Sequence, residues 1–390
     1  MKLKKIIFLA LPLLFVVSSL FACSNRIYSE DNYTADTALA HISIYTPKST
    51  PSQTSLEYIT ISNYITIQGT QFSTTLTELE LNRMSLTDND IIPLLYMTNL
   101  KTLYLSYNQI SDITPLAGLT NLENLDLRHN QISDITPLAG LTNLTNLGLN
   151  RNQISSLTPL IGLSNLEILG LGGNHISDIT PLTELTNLNE LVLHDNQISD
   201  ITALAGLTNL TGLSLMNNRI RDIMPLQHMI NMTKLYLSNN QINDIVPLTE
   251  LTDLTILLLS DNQICEILPL TELTNLESLF LDNNQISNIA PLNNLTNLIR
   301  LRLDRNLLSD LTPLSGLINL TGLVLNYNQI NDITPLAELN NLEELFLGNN
   351  QISNITLLTE LTNLRLLYLA DNPIYDWSPV NHIGFVGGRP

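Results

Sequence analysis

The chain has 390 residues, with 36 acidic side chains against 17 basic ones, and a formal net charge of −19. That balance excludes the basic surface nucleic acid requires, and fits the solubility of a long, exposed molecule. Two cysteines, Cys23 and Cys265, are too few for a disulfide framework.

Residues 1–22 read as an export signal. Lys2, Lys4 and Lys5 form a positive start, and Ile6 to Val17 an apolar run too short for a membrane-spanning helix. The segment ends Leu20-Phe21-Ala22-Cys23. This resembles the bacterial lipoprotein signal, with a bulkier Phe21 than that family usually shows. The resemblance implies lipid on Cys23 and an exported chain held on the membrane's outer side; the alternative is simple secretion. Cys265 falls at a variable position and reads as an incidental thiol.

Residues 23–56 are rich in Ser, Thr, Asn, Asp and Pro, without hydrophobic period. We expect a tether, spanning about 30 Å as a flexible coil. Residues 57–97 are expected to cap the regular repeats. Tyr58–Ile61 and Tyr64–Ile67 alternate on either side of Ser62-Asn63, predicting two strands and a tight turn. Leu76, Leu79 and Leu81 begin a first, irregular repeat in which Met84 stands where later copies have Asn, with two extra residues before Pro93.

From 98 to 372 one sentence of 22 residues recurs, as in LTNLENLDLRHNQISDITPLAG from Leu119 to Gly140. Its Asn returns without slip at Asn108, Asn130, Asn152, Asn174, Asn196, Asn218, Asn240, Asn262, Asn284, Asn306, Asn328, Asn350 and Asn372. The pattern L-x-x-L-x-L-x-x-N-x-I is that of the leucine-rich repeat. Leu125 and Leu127 alternate with Asn124, Asp126 and Arg128, which predicts a short strand with one buried face. A lone coil cannot cover its own leucines; stacking does, at roughly 1.5–3 kcal/mol for each side chain buried. The recurring Asn is expected to satisfy backbone groups of its own and neighbouring turns. Thr136-Pro137 suits the start of a helical turn, and so short a return path predicts 3-10 turns. The expected fold is therefore a leucine-rich repeat solenoid, an α/β-type horseshoe with a parallel concave sheet some 60 Å long. Residues 373–390 are expected to close it, with Pro373, Trp377 and Pro379 in place of a further repeat and Trp377 over the last core layer.

The form N-Q-I-S-D-I-T-P-L-x-x-L-T-N-L resembles the repeats of internalins and related bacterial surface proteins, over about 70 % of the chain. The resemblance implies a scaffold that presents its concave sheet to a protein partner. The helical opening cap, immunoglobulin-like module and C-terminal sorting signal of internalins are not visible, so the scaffold carries over and the receptor does not. The same period occurs in a cytosolic phosphatase regulatory subunit, a reading the export signal opposes.

No enzymatic constellation, cofactor site or metal site is expected. His129 and His194 lie three repeats apart, and Gly170-Leu171-Gly172-Gly173 lacks the Lys-Ser/Thr and following helix of a phosphate loop. Asp282 and Asp304, with Ser260 and Asp261 near, offer oxygen ligands for Ca²⁺, but Arg302 and Arg305 are placed to neutralise them. The functional candidate is a stripe at the strand position between the two core leucines. In the second half it reads Tyr236, Leu258, Phe280, Arg302, Val324, Phe346 and Tyr368, with Arg300 beside it; in the first half it holds mostly Gly, Ser and Asp. Pointing away from the core, these side chains are expected to be exposed and to bind a protein ligand, in adhesion or cell contact. The competing explanation is strand preference, since Tyr, Phe and Val pair laterally on any pleated surface. A structural or self-associating envelope component is the alternative function.

Overall fold

The computed structural model describes residues 63–389. The export signal, Cys23, the tether and the strand expected at 58–61 lie outside the described residues. β1 (Tyr64–Ile67) is the second strand of that expected pair. It pairs antiparallel with β2 (Thr70–Ser73), across a turn where Gln68 and Gly69 both take positive φ. The alternation of Tyr64–Ile67 identified a strand, but its pairing with β2 went unread: Thr70–Ser73 carries little apolar periodicity, and only Phe72 of it packs against the core.

β3 (Glu78–Glu80) opens a parallel sheet of fifteen strands, in which every strand pairs with the next in sequence. The extra residues before Pro93 form a single helical turn, α1 (Asp88–Ile91), capped reciprocally by Thr87 and Asp90. From β4 (Thr102–Tyr104) to β16 (Leu366–Tyr368) each coil is one three-residue strand and one 3-10 turn of three or four residues. Leu103 stacks on Leu125, Leu125 on Leu147, and so on without slip in register. The leucines and isoleucines of the repeat merge into one continuous buried column. Each coil covers the one before it, which is why no single coil could stand alone.

Polar letters hold the column together. The Asn130 Nδ2 donates to the carbonyls of Leu105 and Leu127 at 3.0 and 3.1 Å, and its Oδ1 accepts the Ile110 N–H at 3.0 Å. The same three bonds recur at Asn240, to Leu215, Leu237 and Ile220. A second Asn column, unread in the sequence, occupies the LTNL position. The Asn121 Nδ2 donates to the Thr98 carbonyl and that of Asn143 to the Thr120 carbonyl, each at 2.9 Å. At position 253 this column carries Asp, which when ionised has no N–H or O–H to donate. The Asp of S-D-I-T-P starts the 3-10 turn: the Asp134 Oδ1 accepts the Thr136 N–H at 2.8 Å. The Thr136 hydroxyl, and with it that backbone bond, holds the Asp134 carboxyl below its ordinary range.

The residue just before each core Asn is left-handed, from Tyr107 at φ 58° to Asp371 at φ 60°. Asn, Asp and Gly fill most of these positions, as that conformation favours. Tyr107, His129, Arg151, Arg305 and Tyr327 take it nonetheless.

Residues 373–387 form one more coil rather than a plain stop. A 3-10 turn (Ser378–Val380) leads into β17 (Phe385–Gly387), which pairs with β16. Leu367 faces Val386, so this coil is three residues shorter than the regular 22-residue coils. Trp377 packs, half-buried, against the core.

Candidate functional site

The outward side chains of the strands form the sheet face. Its central column runs in register from Tyr104 through Asp126, Gly148 and Gly170 to Tyr368. The expectation that Tyr236, Leu258 and Phe280 are exposed fails: they are only 1, 6 and 8 % exposed. The three are neighbours on successive strands and bury one another. On one side Tyr236 adjoins Ser214, itself fully buried. On the other side the Arg302 guanidinium lies over the Phe280 ring, 5.4 Å from its centre. Strand preference thus accounts for this stretch.

The column opens beyond Phe280. Arg302, Val324, Phe346 and Tyr368 are partly exposed and Arg300 is exposed. Tyr368 lies between Gly348 and Gly387, where a Cβ at either position would collide with its ring. Glycine thus lets the aromatic ring lie down on the sheet and keep one face outward. Phe385, on the last strand, is 48 % exposed and extends the surface.

Charge gathers at the same place. The Ser260 Oγ donates to the Asp282 Oδ1 at 2.6 Å. The Arg302 Nη2 stands 3.5 Å from the Asp282 Oδ2 and 3.6 Å from the Asp304 Oδ1, shared between two carboxylates and close to neither. The Arg302 Nε and Asp304 Oδ1 are buried without a hydrogen-bond partner. Burial pushes the Asp304 carboxyl up to about 6, repulsion from Asp282 adds to this, and Arg302 opposes it. Arg302 therefore occupies the space between the oxygens that Ca²⁺ would need. Among the described residues no group of three or more His, Cys, Asp or Glu is placed to hold a metal.

The first half of the face is built differently. Asp126, buried, grips the Arg128 Nε and Nη2 at 2.8 and 2.7 Å. Gly172 and Gly170 give room to the His194 ring and the Asn150 amide, so the glycine run is packing space and not a phosphate cradle. His129 and His194 are not brought together. The His194 Nδ1 meets Asp195 at 2.8 Å, whereas His129 stacks on Tyr107 with ring centres 4.0 Å apart. Arg83 covers the other face of Tyr107 at 4.6 Å. Burial lowers the His129 pKa, and the charges of Arg151 and Arg128 lower it further. Sequence reasoning missed this stack; its signal was a run of large planar side chains at the left-handed position of successive repeats.

The repeat family described as Leucine Rich repeats (2 copies) matches residues 74–118, 98–140, 120–162, 142–184, 186–228, 274–316, 318–360 and 340–382. The chain belongs to the leucine-rich repeat family. Among solved structures it is similar to an internalin (InlF) of Listeria monocytogenes, with 33 % identity over 82 % of this chain and 89 % of that one, TM-score 0.68. A leucine-rich repeat protein of Leptospira interrogans is 27 % identical, over 77 % of each chain, TM-score 0.68. The functional domain of InlJ from Listeria monocytogenes, which includes a cysteine ladder, is 25 % identical over 80 % of this chain and 72 % of that one, TM-score 0.68. Among the described residues of the present chain the one cysteine is Cys265, exposed and free. No curated protein matches. The internalin-like repeat fold is a non-enzymatic protein-interaction scaffold.

Proposed function

We propose that this chain is an exported surface protein, anchored by lipid on Cys23, whose sheet face binds a protein ligand in adhesion or cell contact. The observation that carries the binding site is the open end of the central column. There Val324, Phe346 and Tyr368 keep surface exposed beside Arg300 and Arg302, although neighbours were available to bury them, as they bury Tyr236. Aromatic side chains with arginine are the usual anchors of protein interfaces. The test is capture from host and bacterial surface extracts by the wild-type chain and by Phe346→Ala. A partner retained by the first and lost by the second supports the site; partners indifferent to Phe346→Ala place binding elsewhere. Mass spectrometry of the mature N-terminus tests the anchor: an unmodified N-terminus downstream of Cys23 leaves plain secretion. The closed stretch from Tyr236 to Phe280 favours a second reading, a spacer in the envelope whose face serves its own packing; it would show no partner sensitive to Phe346→Ala.

A further inference from the structure

We infer that the open end of the sheet face takes an acidic segment of a partner protein, with Arg300 and Arg302 receiving its carboxylates and Phe346 and Tyr368 its apolar side chains. This inference rests on the binding site proposed above and adds the chemistry of the partner. The chain as a whole carries a formal charge of −19, so an acidic partner is repelled by most of it. Arg300, Arg302 and Arg305 nevertheless fall within one coil. Counted from the start of its strand, no other coil among the described residues has three Lys or Arg.

The local acids take up only part of this charge, through the long ion pairs of Arg302. Lys101, Arg128 and Arg365 each have a carboxylate within ion-pair distance, at 2.7, 2.7 and 3.3 Å. Among the described residues Arg300 and Arg305 have no such carboxylate; Arg305 lies over the Tyr327 ring at 4.4 Å. Arg302 is held 3.5 Å or more from both neighbouring acids, too loosely for a charge-assisted bond. Arg300 and Arg302 project from the same side of one strand, two residues apart, about 7 Å along the chain. The stem of Arg300 runs toward Gly322, which leaves open the strand between it and Glu344. Phe346 and Tyr368 follow on the next strands. A partner lying across the strands would meet positive charge first and aromatic surface next.

The test is panning of a random peptide display library against the folded chain at low salt, with the selected peptides then measured by fluorescence anisotropy. Expected are peptides with Asp or Glu spaced around an aromatic or aliphatic residue, weakened roughly tenfold by Arg300→Gln and by Phe346→Ala. Their affinity should also fall as NaCl is raised. Arg300 is exposed, so its replacement leaves the coil intact; melting curves of both variants check this. Peptides that lose affinity with Phe346→Ala, but are not acidic and ignore Arg300→Gln, keep the binding site and overturn the acidic partner. Absence of any peptide sensitive to Phe346→Ala overturns both.

Discussion

Two stretches of one column, four strands apart, carry the same kinds of side chain and treat them differently. Around Tyr236, Leu258 and Phe280, bulky neighbours succeed one another without a gap, and each hides the next. Around Val324, Phe346 and Tyr368 the column is as bulky, but glycines flank it at 322 and 348 and end it at 387, and surface stays open. Residue type alone therefore does not decide whether a sheet position is packing or interface; the residues beside it, within the column and flanking it, decide it.

The largest effect expected from this contrast is on stability. Phe280→Ala should destabilise by about 2–4 kcal/mol, because it removes the ring under Arg302 and opens the layer beside Leu258. Phe346→Ala should cost under about 1 kcal/mol. Chemical denaturation of the two variants checks the pair, and equal losses would erase the distinction between closed and open stretches.

Next comes the core Asn column under the closed stretch. Asn240→Ala leaves the Ile220 N–H unpaired and takes one of two amide donors from each of the Leu215 and Leu237 carbonyls, which keep Asn218 and Asn262. It should cost more than about 1 kcal/mol. Asn275→Ala loses one exposed bond, to the Thr252 carbonyl, and should cost about 0.5 kcal/mol or less. A melting temperature unchanged by Asn240→Ala would sink the idea that these amides tie the coils.

A smaller effect sits at the boundary between the stretches. The Asp304 carboxyl is raised to about 6, above its unfolded value, so the fold favours its protonated form. That contribution is fully present below pH ~4 and is lost as pH rises through about 6. Asp304→Asn should stabilise the chain at pH 7.5 by roughly 1 kcal/mol and flatten this part of the pH–stability curve. The competing trend comes from Asp134 and its equivalents, whose lowered values favour the fold above their unfolded range. Comparing wild type with Asp304→Asn isolates the boundary group; identical pH profiles would deny it a role.

The smallest is a substitution that closes part of the open stretch. Gly348→Ala would push against the Tyr368 ring and the Asn326 amide. It should cost about 1 kcal/mol and turn the ring, readable as a change in tyrosine fluorescence.

Most of the scaffold was legible because the repeat states its own register thirteen times over. Strand, 3-10 turn and core Asn each come from a local rule that one copy suffices to read. The features that escaped depended on contact between copies. The LTNL Asn reads as an ordinary loop residue until the Thr carbonyl 23 positions earlier is brought beside it. The left-handed position was announced by Asn, Asp and Gly, yet masked by Tyr107, His129 and Arg151. The burial of Tyr236 required knowing that its neighbours are Ser214 and Leu258, and that they leave no gap.

The core Asn bonds also give the solenoid a direction. Apart from bonds within its own coil, the side chain of Asn130 reaches only to the preceding coil, to Leu105 and Ile110, and never to the following one. Removing coils from the far end would strip partners from backbone groups; removing them from the near end would strand a side-chain amide. The first coil has no regular coil beneath it, and there Met84 stands in place of Asn, while Asn108 above finds the Leu81 carbonyl and the Leu86 N–H in the cap. The two ends are chemically unlike surfaces. A hybrid solenoid joined between two such proteins would therefore need its seam chosen so that every amide still finds a coil behind it.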